Sequence, residues 1–265
     1  MPELAEVEFY RRQWNVGVGE VVVRVGLHAS KRIFRGENTR ALVRHITGEK
    51  LLRSTARGKQ MLFEFSGQNW LGLHLGMSGK LRVEPAAFRP AKHDHLVLEQ
   101  ARHCLVFSDP RLFGRVRFHH GELHPEWWPA DLPEIGARQF SRRYFDAFLD
   151  RHRRAPLKAV LLLQSGFPGI GNWMADEILW RAKIAPGRRV AEIGDRERAA
   201  VLRETRFVAR ESLRTIGKEF SDPPRTWLIH QRWKRDGICP RHKTKLLRAT
   251  IGGRTTAWCA KCQPR

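Results

Sequence analysis

The sequence predicts an α+β protein: one N-terminal helix and an antiparallel β-sandwich, then a helical region, then a short metal-binding β-hairpin. Three observations predict it. Short apolar runs broken by Gly, Asn and Pro fill residues 20–120. Apolar stripes at helical spacing, with arginine-rich faces, occupy 138–216. A closely spaced Cys/His set ends the chain.

Residues 2–14 read as a helix. Leu4, Val7, Tyr10 and Trp14 fall at helical spacing, and Gly17 and Gly19 follow as a stop. Residues 21–25, 61–65, 96–99 and 116–118 are the strand candidates, with one helix preceding them. Cys104 lies in such a run and reads as inert core. The Pro/Trp-rich stretch 123–129 reads as a linker. Leu157, Val160, Leu161 and Gln164 mark a helical stripe, and Pro223-Pro224 breaks the helical pattern. These changes of pattern divide the chain into domains 1–130, 131–228 and 229–265.

Lys and Arg number 49 against 27 Asp and Glu, a net charge of +22 in 265 residues. That balance points to a polyanion, nucleic acid first. Glu3, Glu6, Glu8 and Glu20 break up the first twenty residues, so no secretory signal is expected. The longest aliphatic run, 159–163, is too short to span a bilayer. An intracellular protein is expected: in the cytoplasm with the nucleoid in a bacterium, or in the nucleus of a eukaryote. No membrane and no nucleotide cofactor is expected, and the chain is expected to act as a monomer.

Cys239-x2-His242 and Cys259-x2-Cys262 are separated by sixteen residues. Each pair can turn round a metal, and together they supply three thiolates and one imidazole. Protein fills all four positions, so one structural Zn2+ is expected. Gly252-Gly253 between the pairs reads as a hairpin turn. So small a module needs the metal for its stability.

Gly166, Gly169 and Gly171 precede Asn172, which reads as a helix N-cap. Such a turn can offer backbone N–H groups to a phosphate, and Arg153, Arg154 and Lys158 lie upstream. No Gly-Lys-Ser/Thr follows, so this is not a nucleotide loop. At the other end of the chain, removal of Met1 would leave Pro2 as a secondary amine, nucleophilic near neutral pH, with Glu3 beside it as an acid/base.

These pieces, in order, resemble the formamidopyrimidine-DNA glycosylase / endonuclease VIII family. The resemblance runs through Pro2 to Glu8, Arg57-Gly58-Lys59, His74-Leu75-Gly76-Met77-Ser78-Gly79 and Lys92-His93-Asp94-His95. It continues in Asp109-Pro110-Arg111-Leu112-Phe113-Gly114, the turn before Asn172, and Gly253-Arg254-Thr255-Thr256. It implies a helix-two-turn-helix region, a zinc-finger hairpin, and damaged double-stranded DNA as partner. The implied activity is that of a bifunctional glycosylase and abasic-site lyase in base-excision repair, needing neither a redox cofactor nor a catalytic metal.

The resemblance also implies roles. Pro2 would attack C1′ and form an imine, and Glu3 would move protons. Glu6 would be a second, structural or relay carboxylate. Lys59 and Arg254 would sit at the reacting phosphates. His93, Arg111, Lys158 and Asn172 would contact DNA, with Gly171 in the turn. Met77, Arg111 and Phe113 would fill the gap left by an extruded nucleotide. His74 and His95 are left as structural histidines.

The chain departs from the family pattern at Ala5, usually proline, at His242, usually cysteine, and at Leu112, often arginine. The stretch from Glu211 to Ile238 leaves little room for the loop that caps 8-oxoguanine in many members. Wording around Asn172 and Gly253 is similar to plant-type members. Ring-opened purines and further-oxidised guanine are therefore expected ahead of 8-oxoguanine. The competing readings are a non-catalytic zinc-dependent DNA-binding protein, an endonuclease VIII-like enzyme for oxidised pyrimidines, and a helix-hairpin-helix glycosylase. The β-rich first half argues against the last.

Overall fold

Two four-stranded antiparallel sheets carry the first half of the chain, in a computed structural model that describes residues 2–264. One sheet orders β1 (Arg24–Leu27), β6 (Asp94–Glu99), β7 (His103–Ser108) and β5 (Lys80–Pro85). The other orders β2 (Leu51–Arg57), β3 (Gln60–Phe65), β4 (Asn69–His74) and β8 (Arg115–His120). Phe63, Leu71 and Val116 from the second sheet and Leu96, Leu105 and Phe107 from the first share one core. Each such buried side chain contributes roughly 1.5–3 kcal/mol. Helix α1 (Leu4–Gln13) adds Val7 to that core, and Trp14 follows it in a 3-10 turn that ends at Gly17.

Three expectations change here. The 21–25 run enters the sheet only at Arg24, because its first residues pair elsewhere: Val21 bridges Lys50, and Val22 N donates to Glu49 O at 2.9 Å. A second helix, α2 (Thr39–Ile46), interrupts the β-rich half. Asn38 caps it by accepting from Ala41 N at 3.0 Å, and Leu42 and Ile46, four apart, bury one stripe. The 123–129 stretch is no open linker. Trp127 and Trp128 pack with Leu62 and Trp70 on the outer face of the second sheet.

The described chain separates into two compact units: Pro2 with Glu6–Ala130, and Glu3–Ala5 with the residues from Asp131 onward. The second unit holds α3 (Arg142–Asp150), α4 (Leu157–Leu161), α5 (Asn172–Ala182), α6 (Asp195–Glu219), α7 (Ile229–Arg232) and the hairpin β9 (Leu247–Ile251)–β10 (Arg254–Trp258). Helix α5 is its centre: every residue from Trp173 to Trp180 is buried. The Glu177 carboxyl group on α5 accepts from Leu228 N at 2.7 Å and so fixes the start of α7. Both hairpin-turn glycines, Gly252 and Gly253, take positive φ, as a two-residue turn demands.

Candidate active site and metal centre

Glu3 caps a helix to which it does not belong. Its two carboxylate oxygens accept from Trp173 N at 2.9 Å and Met174 N at 3.1 Å. These are first-turn N–H groups of α5, which carry no intrahelical partner. The positive end of the helix favours the negative charge of a carboxylate there. Gly171 makes room: a Cβ at that position would stand 2.2 Å from the Glu3 carboxyl carbon. Leu4 N donates to Gly169 O at 3.0 Å. The glycine-rich turn is therefore a cradle for residues 3 and 4. This corrects part of the expected phosphate grip, because Glu3 already takes the Trp173 and Met174 N–H groups of the turn. It also corrects the N-cap. Asn172 is the first helical residue, and its Nδ2 donates instead to Thr255 O at 2.9 Å.

Lys158 is a third correction. It is fully buried, 2.6 Å from an Asp176 oxygen, and donates to Thr256 Oγ1 at 2.7 Å. Burial lowers its pKa, and Asp176 opposes that shift. A side chain sealed in this way cannot reach a phosphate. Arg232, also buried, donates to the other Asp176 oxygen at 2.6 Å, and Ala257 N reaches it at 3.2 Å. Lys158, Asn172 and Arg232 all donate to Thr255 O, at 3.3, 2.9 and 3.3 Å. The residue beside Arg254 is thereby fixed, while the Arg254 side chain itself is exposed at the hairpin turn. Arg153 and Arg154 are exposed in the turn before α4.

In the β-sandwich unit, Lys59 forms the β2–β3 turn with Gly58 and is half-buried, as are Pro2 and Glu6. Met77 and Phe113 are 39% and 44% exposed, too open for core residues. The Arg111 guanidinium lies 5.0 Å from the Phe113 ring centroid. Between them Leu112 takes φ +57, a strained value for a branched side chain. The Met77 loop meets this one directly: a Cβ on Gly76 would come within 2.4 Å of the Phe113 carbonyl carbon.

Asp109 ties these loops together, and sequence reasoning gave it no part. Fully buried, it accepts from Ser78 Oγ at 2.6 Å, Arg111 N at 3.2 Å and Gly114 N at 2.7 Å. Its own N–H donates to His93 O at 3.0 Å, below the exposed His93 ring. His95 is structural, with Nε2 3.1 Å from Asp109 O. His74 accepts from Gly76 N at 3.1 Å. Burial first, then Lys59, Arg35 and Arg117, lower its pKa, so it stays neutral at pH values where a free imidazole is charged.

Cys239, His242, Cys259 and Cys262 bring four ligand atoms within 4.8 Å of one another. Cys239 Sγ stands 3.6 Å from Cys262 Sγ, and His242 Nδ1 stands 3.2 Å from Cys262 Sγ and 3.7 Å from Cys259 Sγ. A tetrahedron with metal–sulfur bonds near 2.3 Å has edges of about 3.8 Å, so the donor set fits such an ion. Burial and then the neighbouring thiols push the Cys262 thiol up to about 12, a repulsion that a divalent cation would reverse. Trp180 Nε1 and Thr244 Oγ1 lie 3.4 and 3.5 Å from Cys239 and Cys259 sulfur, as outer partners.

The formamidopyrimidine-DNA glycosylase N-terminal domain matches residues 1–116, and the formamidopyrimidine-DNA glycosylase H2TH domain matches 133–222. The chain belongs to the formamidopyrimidine-DNA glycosylase family. Relatives that share this name include one from Carboxydothermus hydrogenoformans, 30% identical over 99% of this chain and 100% of its own. Another, from Thermus thermophilus, is 34% identical over 99% of this chain and 98% of its own. The fold of the Lactococcus lactis family member in complex with FAPY-dG-containing DNA matches with a TM-score of 0.87 at 25% identity, over 99% of this chain and all of that one. The same protein bound to DNA with an oxidised pyrimidine gives 0.87 at 26%, over the whole of both chains. No helix among the described residues is long and apolar enough to cross a membrane.

Proposed function

We propose that this chain excises oxidised bases from duplex DNA and cleaves the resulting abasic site through the amine of Pro2. The observation that carries the reading is the Glu3 carboxylate, fixed by two α5 N–H groups in covalent succession to Pro2. An acid/base whose position is set beforehand loses no ordering entropy at the moment of reaction. The Pro2 nitrogen attacks C1′, the base departs with its bonding electrons, and the proton that the nitrogen sheds passes through the Glu3 carboxylate to the sugar ring oxygen as the ring opens. The resulting imine accepts electrons, so the C2′ proton becomes acidic and the 3′-phosphate leaves. A second elimination expels the 5′-phosphate.

Lys59, His93, Asn172 and Arg254 serve the phosphates, with Arg153 and Arg154 as flanking charge. Glu6 acts as a relay or structural carboxylate. Met77, Arg111 and Phe113 fill the space of the extruded nucleotide. Their exposure and the stacking of Arg111 on Phe113 support that use. One zinc ion, held by Cys239, His242, Cys259 and Cys262, supplies hairpin stability and no chemistry. Ring-opened purines and further-oxidised guanine are the expected first substrates, and the protein acts as a monomer inside the cell.

The test is strand incision across duplexes that carry a ring-opened purine, a further-oxidised guanine, 8-oxoguanine, an oxidised pyrimidine or an abasic site. Fast cleavage of the first two, with phosphates on both sides of a one-nucleotide gap, supports the reading. Tight binding to every duplex with cleavage of none would favour a non-catalytic DNA-binding protein.

A further inference from the structure

The outer face of the β2-β3-β4-β8 sheet carries a basic hollow that none of the roles above uses. In register, Gln60 pairs with His74 and His74 with Arg115, while Gly72 pairs with Arg117. Opposed residues of antiparallel strands share a face, and so do residues two apart along a strand. Gln60, His74, Arg115 and Arg117 therefore point the same way. With Arg35 and Trp127 they line a cavity of about 160 Å3. Gly72 is its glycine for a reason: a Cβ there would fall 2.2 Å from the Trp127 ring. That close seat brings Trp127 under Arg117, whose guanidinium lies 5.2 Å from the ring centroid.

The charges in this hollow are unbalanced. Among the described residues no carboxylate forms an ion pair with Arg35, Arg115 or Arg117. Elsewhere Arg11, Arg82, Arg181 and Arg198 each have a carboxylate within 3 Å. Arg35 is anchored by donating to Arg32 O at 3.2 Å and Gly114 O at 3.0 Å, which leaves its charge uncompensated. Arg115 Nε is buried without a hydrogen-bond partner. Glu37 is the acid nearby, and its carboxylate is engaged by Phe118 N at 3.0 Å. Burial and mutual repulsion lower the pKa of Arg35 and Arg117. Guanidinium groups set round a hollow and left without counter-charge are arranged for an oxyanion, which each can grip through paired N–H groups. The cavity is well below the roughly 300 Å3 of a small-molecule pocket, which suits a phosphate group and excludes a whole nucleotide.

We propose that Arg35, Arg115 and Arg117 form a phosphate pocket that takes one backbone phosphate of bound DNA. The inference rests on the DNA-binding reading above but on none of the residues assigned there. Its orphaned Arg115 Nε and unpaired guanidiniums distinguish it from a merely basic surface.

The experiment measures affinity of the metal-loaded full chain for a duplex with a stable abasic analogue, between about 50 and 200 mM salt. Parent, the Arg115→Gln/Arg117→Gln double variant and Arg117→Lys are compared, with metal content and thermal melting as checks of folding. Loss of one phosphate contact should make the log-affinity versus log-salt slope shallower by about 0.9 in the double variant. Affinity at low salt should fall about ten-fold, and Arg117→Lys should keep most of the slope. An unchanged slope and affinity in a well-folded double variant overturns the pocket. A parent that binds no duplex overturns the DNA reading instead. Inorganic phosphate, followed by the Trp127 indole resonance, then decides the pocket. Saturable shifts lost in the double variant support it as a site for free phosphate, and no shift in the parent overturns it.

Discussion

Each compact unit positions its basic loops through one buried aspartate, yet the two aspartates keep different company. Asp109 accepts only from neutral donors: a serine hydroxyl and two backbone N–H groups. Asp176 faces two buried cations, Lys158 and Arg232. A neutral network loses hydrogen bonds when its acceptor goes. A charged one is left with unsolvated positive charge, a far larger cost. The β-sandwich unit therefore has loops that can be loosened without unfolding. The helical unit ties the position of Arg254 to its own stability.

The largest expected effect is at Asp176. Asp176→Ala should cost about 3–5 kcal/mol in urea unfolding, because two buried cations lose their partner. Adding Lys158→Met should restore part of that loss. A cost below about 1 kcal/mol, or no recovery in the double variant, would mean the cations find other compensation.

Asp109→Ala should cost less, about 1–3 kcal/mol. Its mark should be functional: incision should fall more than stability, because Ser78, Arg111 and Gly114 all lose their anchor. Equal loss in both would make Asp109 a plain fold residue.

Glu177 offers a pH test of the helical unit. Burial raises its pKa to about 8 from an unfolded value of 4.5, against the opposing pull of Arg181 and the Leu228 N–H. Between those values the folded chain keeps a proton that the unfolded chain releases. Its contribution is complete below about pH 4.5 and is lost as pH rises towards 8. Glu177→Gln should therefore gain stability relative to the parent across that window. A difference that does not change with pH would place the folded pKa near its ordinary value.

The smallest effect on the core should come from metal removal. Chelation should weaken DNA binding several-fold while the main melting transition shifts by a few degrees at most. Simultaneous collapse of both units would show that the hairpin is no satellite.

Much of this architecture was legible in the sequence because local pattern controls it. A short apolar run marks Met61 to Phe65, helical spacing marks α1, and Cys-x2-His with Cys-x2-Cys marks the metal centre. Helix α2 was not legible, because its buried stripe is only Leu42 and Ile46 among charged neighbours. The aspartate networks were hidden for another reason. Asp109 meets Ser78 across 31 positions, and Asp176 meets Arg232 across 56 and Ala257 across 81. Nothing in local spacing signals such partners. Lys158 was misread for the same reason: beside Arg153 and Arg154 it looks like surface charge, and only the fold reveals Asp176 against it. The turn before α5 has the glycines of a phosphate loop, and Glu3, from the far end of the sequence, occupies it.

The central claim is that the Pro2 amine is the nucleophile. Met1 lies outside the described residues, so intact mass should first establish the processed terminus. Borohydride reduction during reaction with an abasic duplex should then freeze a covalent adduct that maps to the Pro2 peptide. It should vanish when the N-terminus is acetylated and fall sharply in Pro2→Gly. An adduct of undiminished yield in the acetylated protein, mapping to Lys59 or another lysine, would contradict the account.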